Sequence, residues 1–285
     1  MNEKYLLKLQ NDIFLRNFTP STGENYIRYV TKFLGHTGKD AMSITYADIR
    51  KFAFHLKDAE NKKPSTINGY TAAIRFFFEH TLGYIWDEKK VPKMKLDKKL
   101  PAILTLDEVF LLIDSIGNLK HKAMVSTMYS SGLRVSEVCR LRYDDIRRSQ
   151  KKIYVSKSKS RQDRYAILSD NNLEILSEYW RRGGRPMGWL FPSTMNDGPL
   201  AATTVARFMK NYVGELGYPN NVTPHSLRHS FAVHLLEGGV SKTYIQQLLG
   251  HLCPSSTDCY LQMTSKALMG IKSPFDRGGG GGGNG

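Results

Sequence analysis

His225 and Arg228 stand three residues apart behind Thr223-Pro224, a spacing that puts an imidazole and a guanidinium on one face of a helix. A threonine cap followed by proline marks the start of such a helix. There the free backbone N–H groups and the dipole already favour an anion. The chemistry this pair suits is phosphate binding. Three other segments carry side chains that could join it: Arg134 in Ser131-Gly132-Leu133-Arg134-Val135-Ser136-Glu137, the basic run Ser156-Lys157-Ser158-Lys159-Ser160-Arg161-Gln162-Asp163-Arg164, and Gly250-His251 with Tyr260 nine residues beyond. Each alone has a plainer reading: a surface arginine, a solvated turn, a helix end with an incidental histidine. His251, Cys253 and Cys259 also suggest zinc, but no fourth ligand or Cys-x-x-Cys pair accompanies them, so no metal is expected.

The elements that must hold these residues follow from periodicity. Up to about residue 85 the pattern is helical. Thr19-Pro20 starts a helix carrying Tyr26, Tyr29, Val30, Phe33 and Leu34. Thr45 caps a second, with Ile49, Phe52, Ala53 and Leu56, and Ser65 opens a third, with Ile67, Tyr70, Ile74, Phe77 and Phe78. These aromatics read as core. Glu88 to Pro101 has no period, two prolines (Pro92 and Pro101) and six lysines, and reads as a basic linker. Thr105-Leu106-Asp107-Glu108 is a capping box. Helical pattern continues through Leu112 and from about Lys120 to Ser130. Lys151 to Leu168 alternates as a hairpin, and helices resume near Asn171, Ala201, Thr223 and Ser241. Leu227, Phe231 and Leu235 would hold the His225–Arg228 helix to the core. The glycine run before Asn284-Gly285 is low complexity. The expected fold is mainly α with a small β-hairpin or sheet.

The chain has 285 residues and a formal charge of +15, from 41 Lys plus Arg against 26 Asp plus Glu. That length suits one large domain or two ordinary ones. A hydrophobic fraction of 41 % argues against disorder. No apolar run reaches the ~20 residues that span a bilayer, and Met1-Asn2-Glu3-Lys4 does not start a secretory signal. Three cysteines make no disulfide framework, so a cytoplasmic location is expected. The excess positive charge points to a polyanion, nucleic acid first.

The four segments, in this order and with these separations, resemble the tyrosine recombinase (phage integrase) family, in a simple two-domain form like Xer recombinases and mobile-element integrases. The resemblance implies a helical core DNA-binding (SAM-like) domain over 1–87, the linker at 88–101, a mixed α/β catalytic domain over 102–276 and a flexible tail at 277–285. It implies Tyr260 as the nucleophile that cleaves DNA and holds a 3′-phosphotyrosine. Arg134 and Arg228 would clamp the nonbridging oxygens. Lys159 would protonate the 5′ leaving oxygen, His225 would take the tyrosine proton or orient the phosphate, and His251 would donate to a phosphate oxygen. Glu137 would support the site. Serines replace the glycines of the family's hairpin, which leaves Lys157 competing with Lys159; aligning Asp163-Arg164 selects Lys159. Cys259, next to Tyr260, departs mildly from the pattern.

The implied reaction uses no cofactor, and the implied partner is double-stranded DNA with specific recombination sites. A homotetramer on two synapsed duplexes would exchange strands through a Holliday junction, with Leu261 to Phe275 docking on a neighbouring subunit. Only about 100 residues precede Thr105, so no further arm-binding domain is expected. The alternatives are a type IB topoisomerase-like enzyme and a non-catalytic DNA-binding protein on the same scaffold. The target sequence, and the choice among transposition, phage integration and chromosome-dimer resolution, stay open.

Overall fold

The computed structural model describes residues 2–96, 101–156, 163–195 and 197–250. The chain divides into two compact units, Met1–Lys99 and Leu100–Gly285. The first is a helical unit of α1 (Glu3–Leu15), α2 (Pro20–Thr37), α3 (Tyr46–Asp58) and α4 (Pro64–Phe76), the last widening into a π-helical stretch at Phe77–Leu82. Thr19 caps α2, its hydroxyl accepting from the Thr22 N–H at 3.4 Å. Asp48, three residues into α3, accepts from the N–H of Thr45 at 2.9 Å. The stripes on α2, α3 and α4 meet as expected: Val30, Phe33, Ile49, Phe52, Leu56, Ile67 and Ile74 are all buried in one core. The third of the helices expected from periodicity, α4, starts one residue before Ser65, because Pro64 fits the first helical position and Lys63 precedes it.

The stretch from Glu88 is laid on this unit as far as Met94. Val91 is buried in its core. The side chain of Asn68 bonds both the N–H and the carbonyl of Met94, each at 2.9 Å. Arg50 donates to the carbonyl of Lys90 at 3.1 Å. These partners lie 26 and 40 positions apart, beyond the reach of any local pattern.

The second unit contains α5 (Leu106–Ser115), α6 (Leu119–Ser130), the short α7 (Val135–Cys139), α8 (Asp170–Arg182), α9 (Ala202–Glu215), α10 (Pro224–Glu237) and α11 (Lys242–Leu249). A three-stranded antiparallel sheet, in the order β1 (Ile146–Arg147), β2 (Lys152–Val155) and β3 (Arg164–Ile167), lies among them. The capping box at Thr105 forms, with Glu108 accepting from the Thr105 N–H at 2.7 Å and Thr105 from the Glu108 N–H at 3.2 Å. The expected hairpin is β2–β3, with Tyr154 opposite Tyr165 and Val155 opposite Arg164. Strand β1 was not expected, since two residues carry no alternation to read. Ile153, Val155, Ala166, Leu112, Met124, Val138 and Leu227 fill the core beneath the sheet. Phe231, Ala232, Ile245 and Leu249 form a second cluster joining α10 to α11.

Candidate active site

Gly132 lies two residues past the end of α6, and its φ of +61° is open to glycine at little cost. A Cβ here would lie 2.4 Å from Cδ1 of Phe231 and 2.9 Å from Cδ2 of Leu249. The missing side chain therefore lets the α6–α7 loop close onto α10 and α11. Two residues on, Arg134 precedes the first turn of α7, and Glu137 reaches back to accept its N–H at 2.8 Å. The same carboxylate accepts from Arg134 Nη1 at 2.9 Å. The sequence thus sets Arg134 and Glu137 together by a local turn.

Helix α10 brings the second arginine. Pro224 takes its first position after Thr223, and the N–H of Thr223 donates to Ser226 Oγ at 3.0 Å. Leu227 and Phe231 are buried and Leu235 half-buried, so the apolar spacing seats the helix as expected. Arg228, one residue after Leu227, is drawn inward with them; its side chain is 4 % exposed. Its guanidinium donates through Nη1 to the Gly132 carbonyl at 2.7 Å and through Nη2 to the Leu249 carbonyl at 2.6 Å. Nη1 also lies 3.7 Å from Glu137 Oε2. Arg134 and Arg228, 94 positions apart in sequence by their numbers, therefore meet at one buried carboxylate.

A third arginine joins them. Arg164 of β3 forks across Glu137, with Nη1 at 3.0 Å from Oε1 and Nη2 at 2.8 Å from Oε2. Three guanidiniums around one carboxylate leave a local charge of 3 − 1 = +2. Burial by itself disfavours the Glu137 anion; the hydrogen bonds and charge of Arg164, the N–H of Arg134 and the charge of Arg228 outweigh it, and hold the carboxyl at about 2. Glu137 is thus an ionised anchor for three arginines.

His225 is exposed, one turn before Arg228. Its neighbour on the next turn, His229, sits with ring centroids 6.4 Å apart. Burial first, then the charges of His225 and Arg228, push the His229 imidazole down to about 4. Gly250 ends α11 in the left-handed conformation, φ +62°, the C-cap expected there. Cys139 is buried, and burial raises its thiol to about 11, which makes it a packing residue. Lys159 and its competitor Lys157, His251, Cys253, Cys259 and Tyr260 lie outside the described residues. Among the described residues no cluster of histidine, cysteine or carboxylate is arranged to hold a metal, and no helix is long and apolar enough to cross a membrane.

Sequence reading gave Arg164 no role and did not see Gly132 as a contact point. A signal for Arg164 was present: in the alternation of β3 it falls in phase with the small apolar Ala166, on the face that a strand turns inward.

Residues 102–266 match the phage integrase family, and residues 5–88 match its N-terminal SAM-like domain. The chain is 38 % identical over 270 residues to a putative integrase/recombinase, y4qK, of Sinorhizobium fredii, covering 94 % of this chain and 87 % of that protein. It is 34 % identical to the tyrosine recombinase XerA of Pyrococcus furiosus over 249 residues, 86 % of each chain. Among solved structures, XerH recombinase on a palindromic difH substrate shares the fold at a TM-score of 0.73 and 19 % identity, over 92 % of this chain and 82 % of that one. With both units and the arginine site accounted for, the chain belongs to the phage integrase family of tyrosine recombinases.

Proposed function

We propose that this protein breaks and rejoins double-stranded DNA at specific sites, using Arg134 and Arg228 to bind the scissile phosphate and Tyr260 to attack it. The observation that carries the reading is the convergence of Arg134 and Arg228 on Glu137 from two distant segments. A guanidinium pair held on a buried anion is preorganised, so it needs no rearrangement when charge builds on the phosphate. In the first step the Tyr260 oxygen bonds to phosphorus as the bond to the 5′ oxygen breaks. The phenolic proton passes to His225 or solvent, and Lys159 supplies a proton to the departing 5′ hydroxyl. The 3′-phosphotyrosyl ester conserves the bond energy, so a second 5′ hydroxyl can displace Tyr260 without a cofactor. His251 donates to a phosphate oxygen.

Two such cleavages per duplex, on two paired duplexes, require four copies and a Holliday junction intermediate. The charge of +15 suits this substrate and makes binding steeply salt-dependent. Solved structures of this fold include XerH recombinase bound to a palindromic difH substrate and the Tn1549 transposon integrase in complex with transposon right end DNA, which supports a DNA partner with defined ends and a role in integration or transposition. The place of action is the cytoplasm, where DNA and reduced thiols coexist.

The test uses duplexes selected from a random pool by binding to the protein and then nicked at successive positions to trap the cleaved strand. Wild type forms an adduct that survives denaturation, and Tyr260→Phe binds the same duplex and forms none. An adduct in the Tyr260→Phe protein overturns the assignment.

A further inference from the structure

Strand β3 turns Tyr165 and Ile167 outward and buries Ala166, so Arg164 points to the inward face. Besides its fork onto Glu137, its Nε donates to the carbonyl of Leu248 at 2.9 Å. Its methylene stem passes Gly250 so closely that a Cβ there would lie 3.0 Å from Arg164 Cδ. One side chain therefore joins the start of α7, the edge of the hairpin and the end of α11. It is 9 % exposed, against 23 % for Arg134, and its donors at Nε, Nη1 and Nη2 are engaged within the protein. Arg134 shares the same carboxylate but stays open to solvent.

We propose that Arg164 is a positioning residue for the cleavage reaction: it takes up most of the charge of Glu137 and fixes the carboxylate, so that the cluster keeps a net positive charge for the phosphate at Arg134 and Arg228. This rests on the recombinase reading above. With Arg164 present the cluster carries +2; without it, two guanidiniums share one carboxylate and only +1 remains. Arg134 then becomes the main hydrogen-bonded counter-ion of Glu137. A lysine cannot substitute, because a single ammonium cannot fork across a carboxylate and also serve the Leu248 carbonyl.

The test compares wild type, R164A, R164K, E137Q and the R164A/E137Q double variant. It measures binding of the selected duplex, single-turnover adduct formation at saturating protein, and thermal unfolding. Binding by R164A and R164K stays within about threefold of wild type, because Nε, Nη1 and Nη2 of Arg164 are spent on the Leu248 carbonyl and the Glu137 carboxylate rather than on a phosphate. Adduct formation falls by about 100-fold or more in both, the scale of losing one preorganised charge contact. The double variant reacts no slower than the poorer single variant, because both act through one carboxylate. Multiplying losses in the double variant, or wild-type cleavage by R164K, overturns the proposal. So does weakened binding with normal cleavage at saturation, which would make Arg164 a DNA contact. If R164A does not fold, R164K decides. Absence of an adduct from wild type sinks the recombinase reading itself, whereas normal R164K cleavage beside a working wild type sinks only this inference.

Discussion

Nη1 of Arg228 donates to the carbonyl of Gly132 at 2.7 Å, across 96 positions of sequence. With its partner bond to the Leu249 carbonyl, it fastens the loop that carries Arg134 to the end of α11. The arginine assigned to the phosphate is therefore also a structural tie, and its loss has two consequences. Arg228→Ala should abolish adduct formation and lower unfolding stability in urea by about 3–5 kcal/mol, the cost of breaking a buried charged network. Arg228→Lys should recover little of either, because one ammonium cannot span both carbonyls. Full stability in Arg228→Ala would show that the tie contributes nothing.

Gly132 is the contact that permits this closure. Gly132→Ala adds a methyl at a φ of +61° that would meet the Phe231 ring at 2.4 Å. The left-handed conformation costs about 1–2 kcal/mol and overpacking about 1–3 kcal/mol more, so a fall of about 2–5 kcal/mol is expected. Phe231→Leu in the same chain should return part of the packing loss and none of the backbone strain. Equal costs in the two backgrounds would contradict the contact.

Acid should unfold the second unit in two stages. His229 has a folded value near 4, below the usual value of about 6.5, so the unfolded chain binds its proton more readily. Stability is intact above about pH 6.5 and declines as pH falls toward 4. Glu137 is held near 2, below its ordinary value of about 4.5, so its share is intact above pH 4.5 and lost as pH falls toward 2; that share is of the order of 3 kcal/mol. His229→Gln should shrink the first decline, to which His121 and His234 also contribute because burial lowers them as well, and leave the second. Urea midpoints between pH 7 and 3 measure both, and an unchanged first decline in His229→Gln would exclude its cause.

What could be read in the sequence, and what could not, divides by the distance between partners. The capping box at Thr105, the Thr-Pro starts of α2 and α10 and the apolar stripes of α2, α3 and α4 are all set within one or two helical turns, and all formed as read. The pairing of Arg134 with Glu137 is equally local. By contrast, Arg164 finds Glu137 across 27 positions, and nothing in its neighbours names that partner. The packed path of residues 88–94 was unreadable for the same reason, since its lysines and Pro92 set no period while Val91 and Met94 are fixed by distant residues. Strand β1 is too short to show alternation.

That packed path makes its own prediction. Asn68→Ala removes both bonds to Met94, which should loosen the segment while leaving the helical core folded, at a cost of about 1–2 kcal/mol. Limited trypsin digestion should then cut at Lys93 and Lys95 faster than in wild type. Equal cleavage rates would show that the asparagine does not hold the segment.

The central claim is that Tyr260 attacks a phosphate gathered by Arg134 and Arg228, and the direct measurement is the covalent bond itself. The wild-type adduct with a selected, nicked duplex should be digested with nuclease and protease and sequenced by mass spectrometry. The account predicts a nucleotide joined through its 3′-phosphate to Tyr260, and no modified peptide from Arg134→Ala or Arg228→Ala. Attachment to another residue, or through a 5′-phosphate, would contradict it.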